Sequence, residues 1–287
     1  MKEKPFIHCF RTYNCCYFYD FNTNAIVRIP ESVYVHLQHL EKGTANISEC
    51  DADVNEILNR LTEQGFLSSH HWCKIEHPAS RLLENYLEGS VQSLTLQVTQ
   101  QCNLKCEYCP YSGGFYNRQH NNRKMSFEIA KKAIDFYFLH SFDIPDAQIG
   151  FYGGEPLIEF EMIRRIVEYC NNEYYGKKIR YFVTTNATLL TEEKIDFLMK
   201  NNFVLTISLD GPRQYHNKNR HRVDDTGSFD IVMENIKMVY RKYSDKKENI
   251  QFNCVIDPEA DLKCINDFFI KEEALREYRV LFNSISR

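Results

Sequence analysis

The sequence predicts an α/β protein: a partial (β/α)6 barrel preceded by a small winged-helix-like domain. Three observations predict it. After Gly89, short apolar runs alternate with amphipathic segments of helical period, the rhythm of βα units on a parallel sheet. Before Gly89, strand-like runs are followed by two short helices within about 70 residues, too little for the same architecture. Glycines, cysteines and polar side chains collect just after the apolar runs, where parallel sheets present their reactive loops.

Length and composition are compatible with this reading. The chain has 287 residues, 43% hydrophobic and 26% charged, enough for one large domain or for a large and a small one. A formal charge of −4 and a pI near 6.2 provide no basic field. Nucleic acid and anionic membranes are therefore not expected partners. No apolar stretch approaches the roughly 20 residues of a membrane span. The charged start, Met1-Lys-Glu-Lys-Pro5, leading into Phe6-Ile-His-Cys-Phe10, does not read as a signal peptide. A cytoplasmic location is expected. Eleven cysteines in a chain this rich in core residues read as free thiols of a reducing compartment, a few of them metal ligands.

In chain order, residues 6–29 read as strand, turn, strand, with Asn22-Thr-Asn24 as the turn. Pro30-Glu31 opens a helix with Val33, Leu37 and Leu40 on one face, closed at Gly43-Thr44. A second helix, 54–64, carries Val54, Ile57, Leu58 and Leu61 and stops at Gly65. These elements define the winged-helix-like domain, 1–75, in which Cys9, Cys15 and Cys16 read as buried strand residues. Residues 76–90 form a linker helix; His70, His71 and His77 beside it read as solvated side chains rather than metal ligands. The barrel, 91–287, has strands at 94–99, 148–152, 179–184, 204–209, 250–256 and 279–284. Helices lie at 126–140, 161–169, 191–199, 229–240 and 261–274. Thr191-Glu-Glu and Asp261 place acids where a helix N-terminus favours them.

The chemistry sits at the strand ends. Cys102-Asn-Leu-Lys-Cys106-Glu-Tyr-Cys109 follows the first barrel strand, and three thiols in one loop suit a metal centre better than disulfides, since an odd count leaves one unpaired. An incidental core cluster, or a zinc site short of a ligand, is the competing reading. Phe151-Tyr-Gly-Gly-Glu-Pro156 follows the second strand, and its glycines let backbone approach a ligand closely. Thr184-Thr185-Asn186 ends the third strand, Ser208-Leu-Asp-Gly-Pro212 ends the fourth, and His216-Asn-Lys-Asn-Arg220 comes next.

Together these motifs resemble the radical S-adenosylmethionine (radical SAM) enzymes. The resemblance implies a [4Fe-4S] cluster on Cys102, Cys106 and Cys109, with Tyr108 beside it and one iron left open for S-adenosylmethionine (SAM). It further implies that Gly153, Gly154 and Glu155 take the methionyl amino group, and that Ser208, with Thr185 and Asn186, faces the ribose. Arg220 would meet the SAM carboxylate as a bidentate fork, and the backbone near Ile256 would flank the adenine. Asn217 stands where the family more often has aspartate. No catalytic acid or base is assigned.

Leu96-Gln-Val-Thr-Gln-Gln-Cys102, Tyr111-Ser-Gly-Gly114 and Gly227-Ser-Phe229 extend the resemblance to the peptide and protein maturases, over about residues 90–287. That branch implies reductive cleavage of SAM to a 5′-deoxyadenosyl radical and hydrogen abstraction from a ribosomally made precursor peptide, forming a thioether or other crosslink. The implied partners are the precursor's leader, captured by the first domain as an added strand, and an electron donor such as flavodoxin or ferredoxin. Formylglycine formation, as in sulfatase-maturing enzymes, is the alternative chemistry. Those maturases continue into a cysteine-rich SPASM extension, whereas this sequence stops at Ser286-Arg287. A truncated, non-catalytic scaffold that binds leader peptide is therefore the competing expectation. A DNA-binding winged helix is disfavoured by weak basic character.

Overall fold

The computed structural model describes residues 4–44, 51–72, 74, 76–115 and 118–285; Ser286 and Arg287 lie outside them. The chain divides into two units, Met1–Ser80 and Arg81–Arg287.

In the first unit, β1 (Ile7–Arg11), β2 (Cys16–Asp20) and β3 (Ala25–Ile29) form an antiparallel sheet with β2 in the centre. Alternation turns Ile7, Cys9, Cys16 and Phe18 to one face. They join a core with residues of α1 (Glu31–Lys42) and α2 (Ala52–Glu63), among them Val33, Leu37, Leu58 and Leu61. Gly43 ends α1 at φ 72°, a left-handed conformation that glycine adopts without a Cβ penalty. Asp20 is fully buried, and its carboxylate accepts from Asn22 N, Thr23 N and, across the unit, Leu67 N at 2.8 Å. One acid thus ties the turn after β2 to the exit from α2. Cys9 and Cys16 are buried, and burial pushes the Cys9 thiol up to about 12. Cys15 differs from expectation: it precedes β2 and is only partly buried. His70, His71 and His77 are exposed, with the His71 ring 4.1 Å from that of Phe6 and tilted 34° to it.

The segment read as a linker helix is a 3-10 turn, Pro78–Leu82, followed by α3 (Leu83–Gly89). Then come β4 (Leu94–Thr99), β5 (Leu104–Cys106) and a hairpin of β6 (Ser112–Phe115) with β7 (Arg118–Gln119). Helices and strands alternate from there. They are α4 (Phe127–Leu139), β8 (Asp146–Gly153), α5 (Phe160–Glu173), β9 (Lys178–Thr185), α6 (Glu192–Lys200) and β10 (Phe203–Ser208). The series ends with α7 (Arg213–Asn219), β11 (Arg220–Arg222), α8 (Phe229–Tyr243), β12 (Ile250–Ile256), α9 (Leu262–Lys271) and β13 (Arg279–Ser284).

Six strands form one parallel sheet in the order β13-β12-β10-β9-β8-β4, so each βα unit lies beside the one before it. Strand residues such as Leu96, Phe151, Val183, Leu205 and Phe252 pack with the helices in a single core. Capping follows the sequence: Ser126 Oγ accepts from Ile129 N, Thr191 Oγ1 from Lys194 N, and Asp261 from Lys263 N and Cys264 N. The short helix α7, the pairing of β5 with β11 and the β6–β7 hairpin were not legible as such.

No helix among the described residues is long and apolar enough to cross a membrane.

Candidate functional site

The loop carrying the three thiols is fastened on two sides. On one side β5 pairs antiparallel with β11, in the register Arg220↔Cys106 and Arg222↔Leu104, and Glu107 N donates to Asn219 O at 2.9 Å. The backbone of the cysteine loop is therefore hydrogen-bonded to the strand that carries Arg220, more than a hundred residues later. On the other side lies the end of β8. A Cβ on Gly153 would stand 2.3 Å from Thr99 O, and one on Gly154 would stand 2.2 Å from Gln101 O. Gly154 N and Glu155 N instead donate to those two carbonyls, at 3.0 and 2.9 Å. The glycines are required because backbone packs on backbone here.

Cys102, Cys106 and Cys109 line one cavity with Gly153, Gly154, Ser208 and Arg220. All three are free thiols. Burial pushes Cys102 up to about 12 and Cys106 up to about 11; the Leu104 N–H on Cys102 Sγ, and the Arg220 guanidinium near Cys106, offset part of this. Among the described residues no three His, Cys, Asp or Glu side chains converge on one metal-ion position.

Asp210 holds the middle of the site, and the sequence reading missed it as a functional residue. Its carboxylate, 1% exposed, accepts from Arg220 Nε (2.8 Å) and Nη2 (3.1 Å), from Tyr108 OH (2.6 Å) and from Val255 N (3.0 Å). Arg220 lies 5.4 Å from the Tyr108 ring centroid. Burial alone would lower the Arg220 pKa; Asp210, Tyr108 and Cys106 outweigh it and hold the guanidinium charged. Burial and the neighbouring Asp210 raise the Tyr108 phenol despite Arg220, so it stays protonated and donates. The acid in Ser208-Leu-Asp-Gly-Pro212, ten residues before an arginine, was the available signal.

Behind Arg220, His216 is fully buried. Its Nδ1 accepts from Asp210 N at 3.4 Å, which leaves Nε2–H to donate to Ser228 Oγ at 3.0 Å, and Ser228 Oγ donates to Arg220 O at 3.0 Å. Asn217 Oδ1 accepts from Phe229 N, so the residue standing in place of aspartate still caps the next helix.

Glu155 is buried and committed to the protein. Its carboxylate accepts from Leu157 N, Thr185 Oγ1 (2.7 Å) and Asn186 N (2.8 Å), joining the end of β8 to the end of β9; burial raises its pKa in spite of these bonds. Thr185 Oγ1 also accepts from Ala187 N, and the Asn186 side chain bonds Asn103 and Thr188. The polar atoms of Thr185 and Asn186 thus brace the loops. Ser208 differs: it lines the cavity, and among the described residues its hydroxyl has no hydrogen-bond partner.

Ile256 is not on the cavity wall. Alternation along β12 turns Asn253 and Val255 to the cavity and Ile256 to the helical core, and the Ile256 carbonyl accepts from Ile285 N at 3.3 Å. His120 lines the cavity unforeseen, Nδ1 on Gln100 O (3.2 Å) and Nε2 3.8 Å from Cys109 Sγ. The β6–β7 hairpin brings it there.

Residues 96–268, more than half of the chain, match the family described as the Radical SAM superfamily. The chain belongs to the radical SAM superfamily. Enzymes of this family use a [4Fe-4S] cluster and S-adenosylmethionine. A serine-type anaerobic sulfatase-maturating enzyme of Bacteroides thetaiotaomicron is 31% identical over 58% of this chain and 37% of its own. The radical SAM cyclopropyl synthase TigE of Paramaledivibacter caminithermalis is 28% identical over 80% of this chain and 52% of its own. Among solved structures, anSMEcpe with bound AdoMet superposes at a TM-score of 0.59 and 24% identity, over 68% of this chain and 50% of that one, and so shares the fold. The chain spans about half, or less, of the length of the relatives it matches.

The radical SAM donor set is present and fits the cluster. Three soft thiols suit iron, and buried thiols that resist ionisation alone give up their protons when a metal takes their charge.

Proposed function

We propose that the chain is a radical SAM maturase acting on a ribosomally made precursor peptide, forming a thioether or another side-chain crosslink. The observation that carries this reading is the convergence of three free thiols, a close-packed Gly-Gly edge, a serine hydroxyl without a partner among the described residues and a buried guanidinium on one cavity. When bound, the cluster and SAM supply one-electron reductive cleavage and hydrogen-atom abstraction.

The chain's own residues do the holding. Cys102, Cys106 and Cys109 would hold the cluster, one iron to each thiolate. The carbonyls of Gly153 and Gly154 accept from the methionyl ammonium, and the Glu155 carboxylate, spent on Thr185 and Asn186, fixes that strand end. Arg220 has five N–H donors; Asp210 takes two, and the rest serve the SAM carboxylate. Asp210 also orients the fork, and Tyr108 packs over it. Ser208 offers its free hydroxyl to the ribose. Asn253 and Val255, rather than Ile256, flank the adenine. A flavodoxin or ferredoxin supplies the electron.

Residues 1–75 are the leader-recognition part, a winged-helix-like module. The outer edge of β3 has no pairing partner among the described residues, and a leader peptide adds there as a strand. Formation of 5′-deoxyadenosine after anaerobic reconstitution and dithionite reduction tests the core of the proposal. A protein holding four irons and four sulfides that forms none would sink it.

A second reading, formylglycine formation on a sulfatase, is favoured by the 31% identity to the serine-type enzyme. Mass spectrometry of candidate peptides separates them: a crosslink leaves the peptide without an aldehyde, whereas formylglycine reacts with hydrazide probes.

A further inference from the structure

The face of the parallel sheet turned away from the helices carries a row of side chains set by register. Gln97, Tyr152, Thr184, Thr206, Gln251 and Arg279 stand one on each strand, from β4 to β13. Tyr152 and Thr184 line the cavity. Gln97 Nε2 donates to Tyr111 OH, and Gln251 Nε2 to Thr206 Oγ1. Arg279 is exposed at the far end, and it shares the row's face because its neighbour Val280 packs on the helical core. Arg180, exposed on the same face of β9, has its guanidinium 5.8 Å from the Phe182 ring centroid.

The charge on this face is one-sided. Among the described residues neither guanidinium is in an ion pair. The one carboxylate contributed by the strands to this face, Asp146, is held by Lys178 at 2.8 Å, and Glu277, two residues before Arg279, is held by Lys247. Arg279 stands one strand over and two residues back from Asn253, a cavity residue. Strand spacing and rise put that at about 8 Å between Cα atoms, and a guanidinium side chain spans much of it.

Resting on the reading of a peptide substrate, we infer that this row is the substrate wall and that it selects an extended peptide with an aspartate or glutamate within about four residues of the reacting one. Arg279 takes that carboxylate as a fork, Arg180 adds to the field, and the amides of Gln97 and Gln251 serve the peptide backbone.

Panning random ten-residue peptides on phage against the reconstituted, SAM-bound protein tests this, with wild type, Arg279→Glu and Arg180→Glu compared. Both side chains are exposed, and circular dichroism checks that the variants fold. Wild type is expected to enrich acidic peptides. Arg279→Glu is expected to reduce that enrichment roughly tenfold or more, the loss of a charge-assisted contact, and to favour Lys- or Arg-containing peptides. Captured peptides without acidic bias, or a bias unchanged in both variants, would overturn the inference while leaving a peptide substrate standing. Capture of no peptide above the bare matrix would overturn both.

Discussion

Asp210 and Arg220 form a buried two-point ion pair, Nε to Oδ2 at 2.8 Å and Nη2 to Oδ1 at 3.1 Å, with side chains 1% and 7% exposed. The arginine that the sequence offers to a SAM carboxylate is thus already oriented by an internal acid. The same acid holds Tyr108 and the backbone of Val255. Cysteine loop, arginine strand and β12 share one carboxylate.

Replacing Asp210 with Asn leaves a buried guanidinium uncompensated. The expected cost is about 3–5 kcal/mol of stability, with SAM binding lost alongside. Thermal unfolding checks the first; a Tm within a few degrees of wild type would contradict it.

Ser208→Ala and Thr185→Val should behave in opposite ways. The Ser208 hydroxyl has no partner among the described residues, so its removal should leave stability within about 0.5 kcal/mol and weaken SAM roughly tenfold. Thr185→Val removes a bond to the buried Glu155 carboxylate and should cost about 1–3 kcal/mol. Calorimetric titration with SAM and urea denaturation separate the two effects.

Gly154→Ala forces a methyl against Gln101 O, which would lie 2.2 Å away. The backbone must shift, at a cost of about 1–3 kcal/mol, and the shift moves Cys102. Lower iron occupancy after reconstitution is expected, measured by iron and sulfide analysis.

Cys102→Ala, Cys106→Ala and Cys109→Ala should each abolish the cluster's absorption and EPR signals while far-ultraviolet circular dichroism stays unchanged. A variant retaining wild-type iron would remove that residue from the ligand set.

His216 carries a pH dependence. Burial first, then Arg220, depresses it to about 3, below the unfolded value of about 6.5. The fold therefore favours neutral imidazole; this contribution is fully present above pH 6.5 and is lost as pH falls toward 3. The slope is about 1.4 kcal/mol per pH unit. Urea denaturation at pH 7.5 and 5 should show a loss of roughly 2 kcal/mol, and His216→Asn should flatten it.

The fold was legible because its signals are local. Alternation and helical period located every strand of the parallel sheet, and β12 and β13 begin and end as expected. Helix caps at Ser126, Thr191 and Asp261 are side chains bonding to backbone two or three residues away. Short elements without a periodic signature, such as α7 and β5, were not legible, because they are held by partners distant in sequence.

By itself the sequence determined the α/β class, the three thiols, the close-approach glycines and Arg220, since each follows from residue type and spacing. Only the tertiary structure decided how their polar atoms are partnered: Asp210 as the hub, Glu155, Thr185 and Asn186 as braces, Ser208 with a hydroxyl that has no partner among the described residues, and Val255 rather than Ile256 on the cavity wall. The physical reason is that a polar group's role depends on which partners have already satisfied it. Those partners lie from ten residues away, as for Asp210 and Arg220, to about a hundred, as for Asp210 and Tyr108, brought together by a register that sequence spacing does not encode.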